Sequence, residues 1–91
     1  MIKNFIIKFD DALIGMYFES SVEEIFTNAG IPIADEYIIN WYESPLNIEI
    51  ESIEVDDVVV WNEKTIDIDD WTEDDDRIIE GLIGYIENNI I

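Results

Sequence analysis

A small α+β domain, an antiparallel sheet of three to four strands with two to three helices, is the fold this 91-residue sequence predicts. Three observations predict it. Hydrophobic residues form 48% of the chain and aromatic residues 12%, which is enough apolar surface for a core despite the high charge. Several stretches alternate apolar and polar residues with the period of two of a half-buried strand. Two others open on capping residues and continue with apolar residues at helical spacing. The length suits one domain spanning 1-91.

The elements follow in order. Ile2 to Phe9 is rich in β-branched and aromatic residues and stops at Asp10-Asp11, the pattern of a strand entering a turn. Leu13 to Glu19 is expected to be the antiparallel return, with Gly15 marking a bulge or a close backbone approach. Ser21-Val22-Glu23-Glu24 has the form of a capping box. Val22, Ile25, Phe26 and Ala29 then share a helical face, which Gly30 and Pro32 end. Glu36 to Glu43 is expected to be a strand stopped by Ser44-Pro45. Leu46 to Glu51 alternates, with apolar side chains on one face and carboxylates on the other. Residues 52–64 stay open. Val58-Val59-Val60-Trp61 favours a strand, whereas Ser52 offers a helix cap, so 53–62 is helix or strand. Ile66 and Ile68 alternate with Asp67 and Asp69 as a short extended piece. Thr72 with Asp75 then caps a helix whose first turn is acidic, as the helix dipole favours. Ile78, Ile79, Leu82, Ile83 and Ile86 give it an apolar face, and Gly81 and Gly84 leave room for another element to approach.

Charge is the outlying property. Twenty-three Asp and Glu face four Lys and Arg, for a net charge of −19. Residues 1–18 are neutral in sum, and everything from Glu19 onward carries the excess against Lys64 and Arg77 alone. Self-repulsion of this size opposes a compact state. Direct binding to nucleic acid or to an anionic membrane is disfavoured, because both require basic surface. The chain has no cysteine and no histidine, which removes disulfides, thiolate chemistry and the commonest metal ligand and general base. No signal peptide or membrane-spanning run is read, and a cytoplasmic setting is expected.

Tests for chemistry give little. Asp67-Ile68-Asp69-Asp70-Trp71-Thr72 opens like a calcium loop, but Trp71 and Thr72 stand where the motif needs a ligand and Gly. A solvated turn leading into a helix cap accounts for it better. Carboxylate pairs of the glycosidase kind carry no information among so many acids. The four glycines are scattered and build no phosphate loop. The expectation is a binding protein with no enzymatic activity, no cofactor and no metal.

The charge itself suggests an imitation. Nineteen charges at one per ~1.7 Å of duplex axis match roughly 32 Å of DNA, close to the ~30 Å diameter of a globular chain of this length. Candidate phosphate surrogates are Glu49, Glu51, Glu54, Asp56, Asp57, Glu63, Asp67, Asp69, Asp70, Asp74, Asp75 and Asp76. They are expected to form one contiguous ridge. Trp41 is expected to fill the core or a sheet face, while Trp61 and Trp71, beside acids, are candidate interface aromatics.

Glu36-Tyr37-Ile38-Ile39-Asn40-Trp41-Tyr42-Glu43-Ser44-Pro45-Leu46 resembles a stretch of the ArdA-type antirestriction proteins, with Leu13 to Phe18 and Val22 to Gly30 similar in order. The resemblance covers about residues 2–64. It departs at Trp41, where members often carry an acid, and in total length. It implies a phage- or mobile-element-encoded DNA mimic that occupies the groove of a type I restriction–modification enzyme in the host cytoplasm. It further implies a helix over Ser52-Ile53 to Trp61 and raises a homodimer. A shorter mimic would also suit a CRISPR effector or another nuclease. The alternatives are an immunity-type protein that neutralises a basic toxin or nuclease, and a salt-adapted or metal-buffering domain.

Overall fold

Residues 1–8 and 12–91 are described by the computed structural model. The turn expected at Asp10-Asp11 and the strand end at Phe9 lie outside them. One antiparallel sheet runs in the order β1 (Lys3–Lys8), β2 (Glu36–Glu43), β3 (Ile48–Val55) and β4 (Val58–Asn62). Among the described residues three helices, α1 (Ala12–Gly15), α2 (Val22–Asn28) and α3 (Glu73–Asn89), accompany it, with 3-10 turns at Glu63–Thr65 and Ile68–Asp70. No helix among the described residues is long and apolar enough to cross a membrane.

Alternation decides the faces. Phe5 and Ile7 of β1 pair with Ile39 and Tyr37 of β2. Ile39 and Trp41 pair in turn with Ile53 and Ile50 of β3. These side chains form one layer of the core, and Ile25, Phe26, Ile78, Leu82 and Ile86 from α2 and α3 form the other. The opposite sheet face, with Asn4, Ile6, Ile38, Asn40, Glu54 and Val59 in register across it, carries no helix among the described residues.

Two irregularities adjust that pattern. Simple alternation from Ile48 would turn Ser52 and Glu54 inward. Glu51 is an extra residue in the β2–β3 ladder, so Ile53 and Val55 rejoin the face of Ile48 and Ile50. Val60 is likewise extra against β3, and this turns Trp61 to the core. Asp56 and Asp57 both have positive φ, 50° and 65°, the two-residue hairpin conformation whose twist matches the flanking strands. Residues 53–62 are therefore strand, turn and strand, and the helix implied there by the family resemblance is not formed.

Three further expectations are corrected. Leu13 to Glu19 is α1 followed by tight turns, not a strand. Ile14, Tyr17 and Phe18 lie at helical spacing and find their contacts on the core and α3. Gly15 accordingly marks neither a bulge nor a close approach, since a side chain there would meet open space. The Ile66–Asp69 piece is extended only at Ile66 and Asp67, and Ile68–Asp70 turn instead. Asp70 N–H bonds Asp67 O at 2.9 Å and closes a 3-10 turn.

The helix ends follow local chemistry. Ser21 is the N-cap of α2, but its side chain makes no capping bond, so the expected capping box is absent there. At the other end Ile31 N–H reaches Phe26 O at 2.8 Å and Gly30 N–H reaches Thr27 O at 3.1 Å, with Gly30 at φ 83°. That paired closure needs a left-handed residue after the cap, which glycine supplies without a Cβ penalty. Thr72 and Asp75 form the full capping box of α3. Gly81 and Gly84 do admit neighbours: a Cβ at Gly81 would lie 2.6 Å from the Phe18 ring, and one at Gly84 3.2 Å from Tyr17.

Candidate functional site

Three of the four cations, Lys3, Lys64 and Arg77, are committed locally. Lys3 Nζ pairs with Glu43 at 2.9 Å and lies 5.1 Å from the Trp41 ring. Arg77 contacts Asp74 at 3.2 Å, Glu73 at 3.5 Å and Glu19 at 3.7 Å. Lys64 Nζ sits over Tyr42, 5.5 Å from the ring centre. Asp67, Asp69, Asp70, Asp76, Glu80 and Glu87 are all exposed, and among the described residues none has a cation within 4.0 Å.

Helix α3 organises part of this charge. Its inner face is taken by Asp75, Ile78, Leu82 and Ile86. Glu73, Asp76, Glu80 and Glu87 therefore fall on the outer side, all exposed, over about 21 Å of helix rise. The 3-10 turn carrying Asp69 and Asp70 leads directly into the N-terminus of α3. Sequence reasoning missed Glu73, Glu80 and Glu87 as site residues. The signal was present, because acids at helical spacing opposite an isoleucine stripe mark an outward face.

The twelve predicted surrogates do not form one ridge. Glu49 and Glu54 point to the sheet face away from α3, opposite Tyr42 and Ile38, while Glu51 sits at the bulge. All three are half-buried, and Glu54 Oε2 accepts a 2.5 Å bond from Asn40 Nδ2. Asp56 and Asp57 occupy the hairpin tip. Glu63, Asp67, Asp69, Asp70 and Asp76 lie on the 3-10 turns and the start of α3, and Asp74 is engaged by Arg77. Antiparallel pairing reverses direction at every turn, so nearness in sequence does not keep these acids on one side.

Two predicted residues are structural. Asp75 is 3% exposed, accepting from Trp61 Nε1 at 2.9 Å, Thr72 N–H at 2.9 Å and Thr72 Oγ1 at 3.0 Å. It presents no charge for a partner. Trp61 is also 3% exposed, turned inward by the Val60 bulge, and is not an interface aromatic. Trp71 is half-buried beside it, with ring centres 6.2 Å apart, and its Nε1 donates to Asp76 Oδ1 at 2.8 Å.

No protein family, curated protein or solved structure matches this chain. The residues behind the ArdA-type resemblance serve packing: Tyr37, Ile39 and Trp41 are buried, and Tyr37 donates from its hydroxyl to Pro32 O at 2.9 Å. Two open grooves border the acidic side. One, about 520 Å³, is lined by the β2–β3 loop with Glu43 and Glu49, and by Ile83 and Glu87 of α3. The other, about 310 Å³, is lined by Glu63, Ile66, Ile68 and Trp71. Among the described residues no three Asp or Glu side chains are grouped to hold a metal ion. What this arrangement offers is a negative field with apolar footholds, suited to a basic protein surface.

Proposed function

We propose that the protein is a DNA mimic that inhibits a host defence enzyme by occupying its DNA-binding groove, a type I restriction–modification enzyme first and a CRISPR effector or other nuclease next. The observation that carries the reading is the set of exposed carboxylates that, among the described residues, have no cation within 4.0 Å: Asp67, Asp69 and Asp70 on the turn before α3, and Asp76, Glu80 and Glu87 on α3 itself. A molecule measuring 32 × 31 × 27 Å with a net charge of −19 approaches the charge per length of duplex DNA. Such a surface would be steered into a basic groove and release the same counterions that DNA releases.

Displacement of a labelled duplex from a purified type I enzyme and from an RNA-guided nuclease tests this. The inhibitor should displace duplex from at least one of them and be displaced by excess duplex. Its affinity should fall by about 10³ or more between ~50 and ~200 mM salt, as for six or more phosphate contacts. Neutralising Glu73, Asp76, Glu80 and Glu87 one at a time should give small losses that accumulate. An inhibitor indifferent to excess duplex would rule the reading out. An immunity-type protein directed at a basic toxin is the second reading, favoured by the compact Ile68–Trp71 cluster. It requires one or two large losses in the same scan.

A further inference from the structure

We propose that the groove formed by Glu63, Ile66, Ile68 and Trp71 receives an arginine side chain of the basic partner. This rests on the reading above that the partner is a basic protein, and adds where one of its side chains is anchored. The groove, about 310 Å³, has a lining of two isoleucines, one indole and one carboxylate. An amphipathic lining of this kind matches a side chain with an apolar stem and a planar cation.

The four residues play different parts. Ile66 packs against the core and gives the groove an apolar floor. Ile68 is 85% exposed, an aliphatic side chain standing uncovered between Asp67 and Asp69. Trp71 is held before anything binds, by its bond to Asp76 and its packing on Trp61. A guanidinium stacks well on an indole face and pairs in bidentate fashion with a carboxylate. Glu63 has no cation within 4.0 Å among the described residues, and the adjacent Lys64 is engaged over Tyr42. The Asp67, Asp69 and Asp70 field around the groove selects a cationic occupant over a purely apolar one.

The test is an NMR titration of the full chain with two short peptides of equal charge, one alternating Arg and Ala and one alternating Lys and Ala. The Trp71 indole N–H and Ile68 methyl signals are followed, with the buried Trp41 indole as internal reference. The Arg peptide should move Trp71 and Ile68. Trp71→Leu and Ile68→Ser should each weaken it about threefold to fivefold while leaving the Lys peptide within about twofold. Ile68→Ser, at an exposed position, keeps the test decisive if Trp71→Leu fails to fold. Binding of the Arg peptide with Trp71 and Ile68 unmoved would overturn the groove and leave the mimicry reading standing. Equal shifts with both peptides would overturn the arginine assignment. Absence of binding by either peptide would overturn both proposals.

Discussion

Asp75→Ala separates the structural carboxylate from the functional ones. The Trp61 indole N–H, buried and bonded to Asp75 at 2.9 Å, would be left without an acceptor. An unsatisfied buried donor costs about 1–3 kcal/mol. The Thr72 N–H loses its Asp75 Oδ2 acceptor while the backbone N–H at 75 keeps Thr72 Oγ1, so half of the capping box goes at roughly 0.5–1.5 kcal/mol. Removing one negative charge from a molecule at −19 acts in the opposite direction, by an amount that the exposed Asp69→Ala variant measures on its own. The balance is a loss of about 2–4 kcal/mol. For a domain of this size that is a fall in Tm of roughly 10–25 °C. Urea unfolding followed by tryptophan emission and circular dichroism reads it directly. Asp75→Asn, which keeps one carbonyl acceptor, should fall between wild type and Asp75→Ala. If Asp75→Ala loses no more than Asp69→Ala, the Trp61–Asp75–Thr72 network does not hold α3 to β4.

Four other outcomes are expected. Gly84→Ala should gain up to about 1 kcal/mol from helix propensity because Tyr17 needs to yield only slightly, whereas Gly81→Ala should lose about 1–2 kcal/mol because the Phe18 ring blocks the new methyl; denaturant midpoints of the pair check the opposite signs. Asp57→Gly should raise stability by about 0.5–1 kcal/mol, since it relieves a left-handed non-glycine residue at the hairpin tip, as the shift in thermal midpoint will report. Burial holds the Tyr37 hydroxyl above its ordinary value near 10, opposed by the Ala34 N–H bond and aided by Glu23; its contribution is present below about pH 10 and lost as pH rises through the raised value, so Tyr37→Phe should flatten the alkaline limb of a stability–pH curve. Raising salt from ~0.01 to ~0.15 M shortens the screening length from ~30 to ~8 Å, less than any dimension of the molecule, so Tm should climb over that range, and a flat profile would show that self-repulsion is minor.

Local chemistry was legible wherever a residue's role depends on its immediate neighbours. The Thr72–Asp75 cap, the isoleucine face of α3, the Gly30 stop and the β1 and β2 strands all follow from spacing of a few residues. The apolar total was sufficient to say that a core forms. The tertiary structure decided what depends on distant partners. β2 rather than the next segment pairs with β1, and Leu13 to Phe18 turn onto α3. Two bulges, each one residue long, reset which face of a strand is buried and so sent Trp61 inward. Asp75 carries the same charge as Asp69, and only the approach of β4 to the start of α3 makes the former a buried acceptor and leaves the latter exposed. Composition determines how much charge the molecule carries. Where that charge stands depends on strand reversals and helix packing, because each turn can move neighbouring acids to opposite faces.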